Sequence, residues 1–325
     1  MVSNTQVIPH HDGLVTRDAL AGYLHAAWPE TPVSIWLHRL EFWWDKNPHR
    51  QEDSHLGYTA LAGSDIVGFG GFIPAMFAWQ GQPVPGLYAT SFRVDEKHSK
   101  AAAKMFLNQR QIMQNHVIVH STPIPKIQTA LVKMGGRGET QVTCHYVALG
   151  KLGYFNGQPP WPVLASGMKI VSDLNAVTSL ARPYQKADRI EKWTTVESLK
   201  WYCLSPMRQH YFIGAVDAAG VLSSYLLITA RRRRGIATWD VVETFTTRET
   251  PEELMAVLGT LVHEPDRLPG RRRLLTVTDF GDESWLAQMP ALIRRKEQVC
   301  HYFLLPKDLA QAPKHTVLAE GDLGL

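Results

Sequence analysis

Three landmarks recur at nearly the same distance along the 325-residue chain. Pro48 and Pro206 lie 158 residues apart, and Gly63 and Gly220 lie 157 apart. The short apolar runs "HVIVHS" (116–121) and "RLLTVT" (273–278) are also 157 apart. A constant offset across landmarks of different kinds marks a duplicated unit, although few residues match between the copies. The elements read from each copy come in one order. In the first, helical apolar spacing over 16–46 is broken at "PETP" and stopped at Asn47-Pro48. Strand, turn at Gly63-Ser64 and strand follow, then a loop "QGQPVPG" (80–86) and the β-rich run 87–94. A helix from Ala101, the strand "HVIVHS", a helix "IPKIQTALVKMGG" with Pro first and Gly last, and a closing strand "TQVTCHYVAL" complete it. The second copy repeats this from "TTVESLKWYCLSP" to "EQVCHYFLL". Domains are therefore expected at 1–150 and 166–325, with a Pro/Gly-rich linker over 151–165. A β-hairpin feeding a β–α–β unit predicts a mixed sheet with helices on its faces, an α/β (α+β) fold.

The composition supplies two cores and excludes several classes. Hydrophobic residues make up 45% and charged residues 20%. The three cysteines are far apart and form no C-x-x-C pair, so no disulfide framework or cysteine zinc site is expected, and no metal. The N-terminus lacks the basic and apolar regions of a signal peptide, and no apolar run approaches the ~18 residues of a membrane span. The expectation is a soluble, cytoplasmic protein. A net charge of +4 permits an anionic partner without arguing for nucleic acid.

The first copy resembles the GNAT acyltransferase superfamily. The residues that carry the resemblance are Trp43-Trp44, Asn47-Pro48 and the run Ile66-Val67-Gly68-Phe69-Gly70-Gly71-Phe72-Ile73-Pro74. The strand end Val94-Asp95-Glu96 and the closing "ALVKMGGRG" extend it over residues 15–150. Residues 165–305 match by the order of elements alone. The resemblance implies two tandem GNAT-like acyl-CoA N-acyltransferase folds, as in many bacterial proteins, the second copy degenerate. It implies acetyl-CoA or another acyl-CoA as donor and a small amine as acceptor, such as an amino sugar or a metabolite.

The family wraps the CoA pyrophosphate with Arg/Gln-x-x-Gly-x-Gly/Ala at a helix start, where unpaired N–H groups favour an anion. Here Ser99 replaces the Arg, and Lys100, Ala101, Ala102, Ala103 and Lys104 replace the glycine-containing stretch. Together with Phe92, Arg93 and Val94 of the preceding strand they form the candidate cofactor-binding set, with Lys97 and Lys100 supplying charge. The same stretch is otherwise a site for another anion or a plain helix start. In the second copy Thr250, Glu252 and Glu253 occupy this place, where carboxylates cap a helix and repel phosphate.

The chemistry offers few candidates. His120 is placed as a general base near neutral pH, or else is a His satisfied by backbone. Tyr88 is placed as the acid for the leaving thiolate, or else packs in the core. No carboxylate precedes Asp95 on that strand. Asp240 and Glu243, three apart on a strand, are expected on opposite faces. Trp36 and Trp43 share a helix face, as core or as an acceptor wall. The runs "RRRRG" (231–235) and "GRRR" (270–273) are solvated charge or a surface for tRNA or an anionic acceptor. The tRNA reading belongs to an alternative, a Fem-like aminoacyl-tRNA-dependent transferase; a second alternative is a non-catalytic GNAT-fold binding protein.

Overall fold

The computed structural model describes residues 5–157, 161–233, 235–270 and 272–321. In chain order these form β1 (Thr5–Pro9), α1 (Arg17–Ala27), α2 (Val33–Leu40), β2 (Gly57–Ala62), β3 (Asp65–Trp79), β4 (Gln82–Val94), α3 (Ser99–Ile112), β5 (Val117–His120), α4 (Pro125–Lys133) and β6 (Arg137–Ala148). Then come β7 (Lys169–Val171), β8 (Ser179–Leu180), β9 (Glu191–Lys192), α5 (Val196–Cys203), β10 (His210–Val216), β11 (Val221–Arg233), β12 (Ile236–Thr246), α6 (Glu252–His263), β13 (Leu274–Asp279), α7 (Ser284–Gln288) and β14 (Ile293–Leu304). Among the described residues no helix is long and apolar enough to cross a membrane.

Two compact units form, and they interleave along the chain. The first holds residues 1–77, 84–138 and 301–311; the second holds 78–83, 139–300 and 312–325. In the first unit the strand order is β1-β2-β3-β4-β5-β14, with β4 and β5 parallel and β5 and β14 antiparallel. In the second it is β7-β10-β11-β12-β13-β6, with β12 and β13 parallel and β13 and β6 antiparallel. The two orders are the same, as the repeat predicts. The closing strands, however, are exchanged. Tyr302, Phe303 and Leu304 pair with His120, Val119 and Ile118, while Thr143–Ala148 of β6 pair with Asp279–Leu274. Each unit is thus completed by a strand from the other half of the sequence.

Local chemistry explains the elements. Thr16 caps α1 by accepting from the Ala19 N–H, and Thr195 and Ser198 form a capping box on α5. Gly63 and Gly220 both sit at positive φ, +69° and +81°, as their shared place in the repeat requires. Asn47 ties the Asn-Pro stop to the sheet, its Nδ2 donating to the carbonyls of Trp43 and Pro74 at 3.0 and 2.8 Å. Trp36, Trp43 and Trp44 are all buried, so the core reading of the Trp-rich helix holds; the Arg39 guanidinium lies 4.7 Å over the first two rings.

Two expectations are corrected. The stretch 80–86 is not a loop: β3 and β4 join through a two-residue turn, Gln80-Gly81, both at positive φ, and Pro83 and Pro85 lie within β4. Asp240 and Glu243 share one face of β12 rather than opposing each other. The register between β11 and β12 slips by one residue, Leu227 facing Glu243 and Ile228 facing Val241, and this bulge cancels the alternation. The opposite face of that sheet carries the second unit's apolar core, in which Trp239, Val241 and Val277 pack against Leu254, Leu258 and Leu261 of α6.

Candidate active site

In the first unit the β4–β5 ladder runs through Gly86↔Val117, Leu87↔Ile118, Tyr88↔Val119 and Ala89↔His120, and there it stops. β5 ends, whereas β4 continues to Val94, so the two strands part into a fork at their carboxyl ends. Such crevices are where open α/β sheets take ligands. Ser91, just past the fork, is held at φ +50°, a left-handed conformation that a non-glycine residue adopts at a cost and that marks functional sites.

β4 leads through a single 3-10 turn, Glu96–His98, into α3. No side chain caps α3, and its first turn holds no acidic residue. The His98 imidazole at the N-cap is instead bonded to Thr5, Nδ1 to Oγ1 at 2.7 Å. Lys97, Lys100 and Lys104 are exposed around these turns. An uncapped, acid-free helix start ringed by lysines favours an anion. Ala101 is buried on the core face, Ala102 is half-buried and Ser99 and Ala103 are exposed.

The other sequence-predicted residues fall as follows. Phe92 packs on Phe106 of α3, ring centroids 5.1 Å apart, and its ring closes over Gly70, where a Cβ would lie only 3.0 Å away. Arg93 is exposed, and its carbonyl accepts from the Tyr23 hydroxyl at 3.5 Å; Val94 packs on Gly68. Asp95 Oδ1 accepts from the same Tyr23 hydroxyl at 3.3 Å. Tyr88 is buried one rung below the fork, edge-on to Phe77.

His120 occupies the last rung. Its Nε2 lies 2.6 Å from Nε2 of Gln109, a buried residue on α3. The ring keeps some solvent exposure, yet burial, with a smaller contribution from His301, lowers its pKa to about 3. Efficient general bases have pKa values near the working pH, and this ring lies well below that range. Gln109 is the residue that sequence reasoning missed. Its signal was a glutamine inside the buried stripe Ala101, Met105, Gln109 and Ile112 of α3.

The second unit has the same fork, filled by its own chain. The β12–β13 ladder stops at Val241↔Val277. Beyond it the C-terminal segment 312–321 runs along β12, with the Ala319 N–H donating to the Val242 carbonyl at 2.8 Å and the Tyr202 hydroxyl to the Ala319 carbonyl at 2.8 Å. His315 Nδ1 and the Thr316 N–H both bond Asp282 Oδ2, at 2.6 and 2.9 Å. A cavity of about 20 Å³ remains between this strap, Glu243 and Thr278, room for about one water. At the start of α6, Glu253 takes the anion position: its Oε1 accepts from the Ser223 and Ser224 hydroxyls at 2.5 and 2.7 Å, and its Oε2 from Arg248 at 3.0 Å.

The strap carries a pH signature. Burial alone would lower the His315 pKa, but the bond to Asp282 and its charge outweigh burial and hold it above 6.5. Burial raises Glu320 to about 8. Both groups hold a proton more tightly folded than unfolded, so the stability they confer is full at low pH and is lost as pH rises, from about 4.5 to 8 for Glu320 and above 6.5 for His315. Asp282, held below its usual value, contributes only above about pH 4. Amide exchange of residues 312–321, corrected for intrinsic rate, is expected to quicken between pH 6 and 8.5. Glu320→Gln should flatten the trend, and a flat wild-type profile would contradict it.

Three arginines of the two runs have internal partners. Arg231 and Arg233 bond Asp240, Arg233 also reaches Glu297, and Arg272 stacks 4.4 Å over Trp239. Arg234 and Arg271 of those runs lie outside the described residues. Among the described residues no group of three or more His, Cys, Asp or Glu could hold a metal ion.

Each unit thus carries a fork between two parallel strands, with a helix following the longer of them. No family model matches the chain, and no curated protein matches it in sequence. Solved structures do. A probable N-acyltransferase from Enterococcus faecalis V583 superposes with a TM-score of 0.64 at 11% identity, over 92% of this chain and 72% of that one. A GCN5-related N-acetyltransferase from Anabaena variabilis gives 0.61 at 8% identity, over 92% and 72%. Eis1 from Mycobacterium abscessus gives 0.54 at 11%, over 93% and 74%. The chain has the GNAT fold.

Proposed function

We propose that this protein is an N-acyltransferase that moves an acyl group from acyl-CoA to a small amine. The observation that carries this reading is the uncapped, lysine-ringed start of α3 rising directly from the β4–β5 fork. CoA would lay its pyrophosphate on the first-turn amides near Ser99–Ala103, with Lys97, Lys100 and Lys104 as counter-charges. Its thioester would lie along Phe92–Val94 into the fork. The amine nitrogen bonds to the thioester carbon as the carbon–sulfur bond breaks, giving an amide and CoA thiolate, which takes up a proton from water to become the free thiol. The amine's proton passes to water, because β4 offers no carboxylate before Asp95 and Asp95 is engaged by Tyr23. The second unit acts as a structural, degenerate copy whose fork is filled by residues 312–321 and whose helix start is occupied by Glu253.

The tRNA-dependent alternative draws on the altered helix start and the two arginine runs, and internal partners for Arg231, Arg233 and Arg272 favour the acyl-CoA reading over it. Thiol release from acetyl-CoA, followed with a chromogenic disulfide across a panel of amino sugars and polyamines, tests the reading. Amine-dependent release above hydrolysis is expected. Acetyl-CoA binding with no amine-dependent release would favour the non-catalytic alternative.

A further inference from the structure

At the fork lies a polar contact whose chemistry is set by its atoms. Gln109 presents its amide nitrogen to His120 Nε2 at 2.6 Å. An amide nitrogen can only donate, so the ring must offer a lone pair at Nε2. A neutral imidazole bonded in this way carries its proton on Nδ1. Nδ1 has no hydrogen-bond partner among the described residues and is not a buried atom, which leaves it the uncommitted polar atom of the ring. The residue stands on the last rung before β4 and β5 part, at the carboxyl end of β5.

We propose that His120 donates a hydrogen bond through Nδ1–H to a carbonyl oxygen bound in the fork, with Gln109 as the positioning residue that fixes its tautomer. This rests on the acyl-CoA reading, in which that oxygen belongs to the thioester. As the amine adds, electron density moves onto the thioester oxygen, and a donor already oriented toward it stabilises the charge without reorganising. The imidazole keeps its proton throughout: the carbon–nitrogen bond forms, the carbon–sulfur bond breaks, and the amine's proton leaves through water. The low basicity of the ring serves this role, because a ring with a pKa of about 3 stays neutral and of one tautomer across the working range.

A binding experiment reads the donor without a known acceptor. Acetyl-CoA and its thioether analogue S-ethyl-CoA differ by one carbonyl oxygen, and isothermal titration compares them. Wild type is expected to bind acetyl-CoA about three- to tenfold more tightly, the worth of one hydrogen bond. His120→Ala and Gln109→Glu should lose that preference while binding S-ethyl-CoA as wild type does; a glutamate at 109 accepts from Nε2–H and so takes the proton from Nδ1. His120→Asn, whose amide nitrogen falls near Nδ1, should keep part of the preference, and His120→Gln should not. Equal binding of the two ligands by wild type, or a preference that survives in His120→Ala, overturns the inference and leaves the acyl-CoA reading standing. Failure of wild type to bind either ligand overturns that reading, and the inference with it. The wild-type tautomer is read independently from long-range proton–nitrogen spectra of histidine-labelled protein, with His120 assigned by substitution. A protonated Nε2 at His120 would overturn the inference even if every variant misfolded.

Discussion

Expressed apart, residues 1–150 and 166–325 are each expected to lack a cooperative thermal transition, and fragments 1–165 and 161–325 mixed together should recover one. The reason is the exchange of closing strands. Without Tyr302, Phe303 and Leu304 the first unit loses the ladder that covers β5, exposing Val117, Ile118 and Val119, all fully buried in the intact chain. Phe303 and Leu304 are themselves fully buried, and each such side chain contributes about 1.5–3 kcal/mol. The second unit without β6 loses Cys144 through Ala148 from beside β13. A domain stable by about 5–15 kcal/mol does not survive the loss of the strand that closes its sheet over buried side chains. Circular dichroism melts decide it. A sharp transition in either isolated half would contradict this expectation and show that its own closing strand can take the exchanged place.

Glu243→Gln is expected to destabilise the protein by about 3–5 kcal/mol. Lys192 is buried, and its Nζ is 2.5 Å from Glu243 Oε2 and 4.0 Å from the centroid of the Tyr202 ring. Oε1 of the same carboxylate accepts from the buried Tyr225 hydroxyl at 2.6 Å. Removing the carboxylate's charge leaves an ammonium uncompensated in the interior, the costly way to break a buried pair. For a unit of this size the melting temperature falls about 2–4 °C per kcal/mol, so a drop of roughly 6–20 °C is expected. Adding Lys192→Met removes the stranded charge and should restore most of the loss. A single variant that melts within a degree or two of wild type would show that the pair is better hydrated than its burial indicates.

Much of this architecture was legible in the chain. The repeat, the Gly63 and Gly220 turns, the Pro-started helix at Pro125 and the Trp core all follow from local rules that tertiary packing did not overrule. Strand exchange was not legible, because the pattern of "TQVTCHYVAL" fits an antiparallel place beside either β5 or β13; a strand's alternation fixes its face and not its neighbour. The bulge that puts Asp240 and Glu243 on one face comes from one slipped register, which no residue type in β12 announces. The strap "APKHTVLAE" has no helical or strand period, so its place in the second fork escaped the sequence. At the candidate site, His120 was found by its position after a strand. Its tautomer and low basicity depend on Gln109 and on burial, which exist only once α3 packs on the sheet.

The central claim is that the first unit binds CoA at the start of α3 and that the second does not. Isothermal titration of acetyl-CoA into wild type and Lys100→Glu at low salt tests it most directly. The account predicts saturable binding at one site per chain. It also predicts about tenfold or greater weakening in Lys100→Glu, because a carboxylate beside the α3 start repels the pyrophosphate. Two sites per chain, unchanged affinity in Lys100→Glu, or no binding at millimolar acetyl-CoA would contradict it.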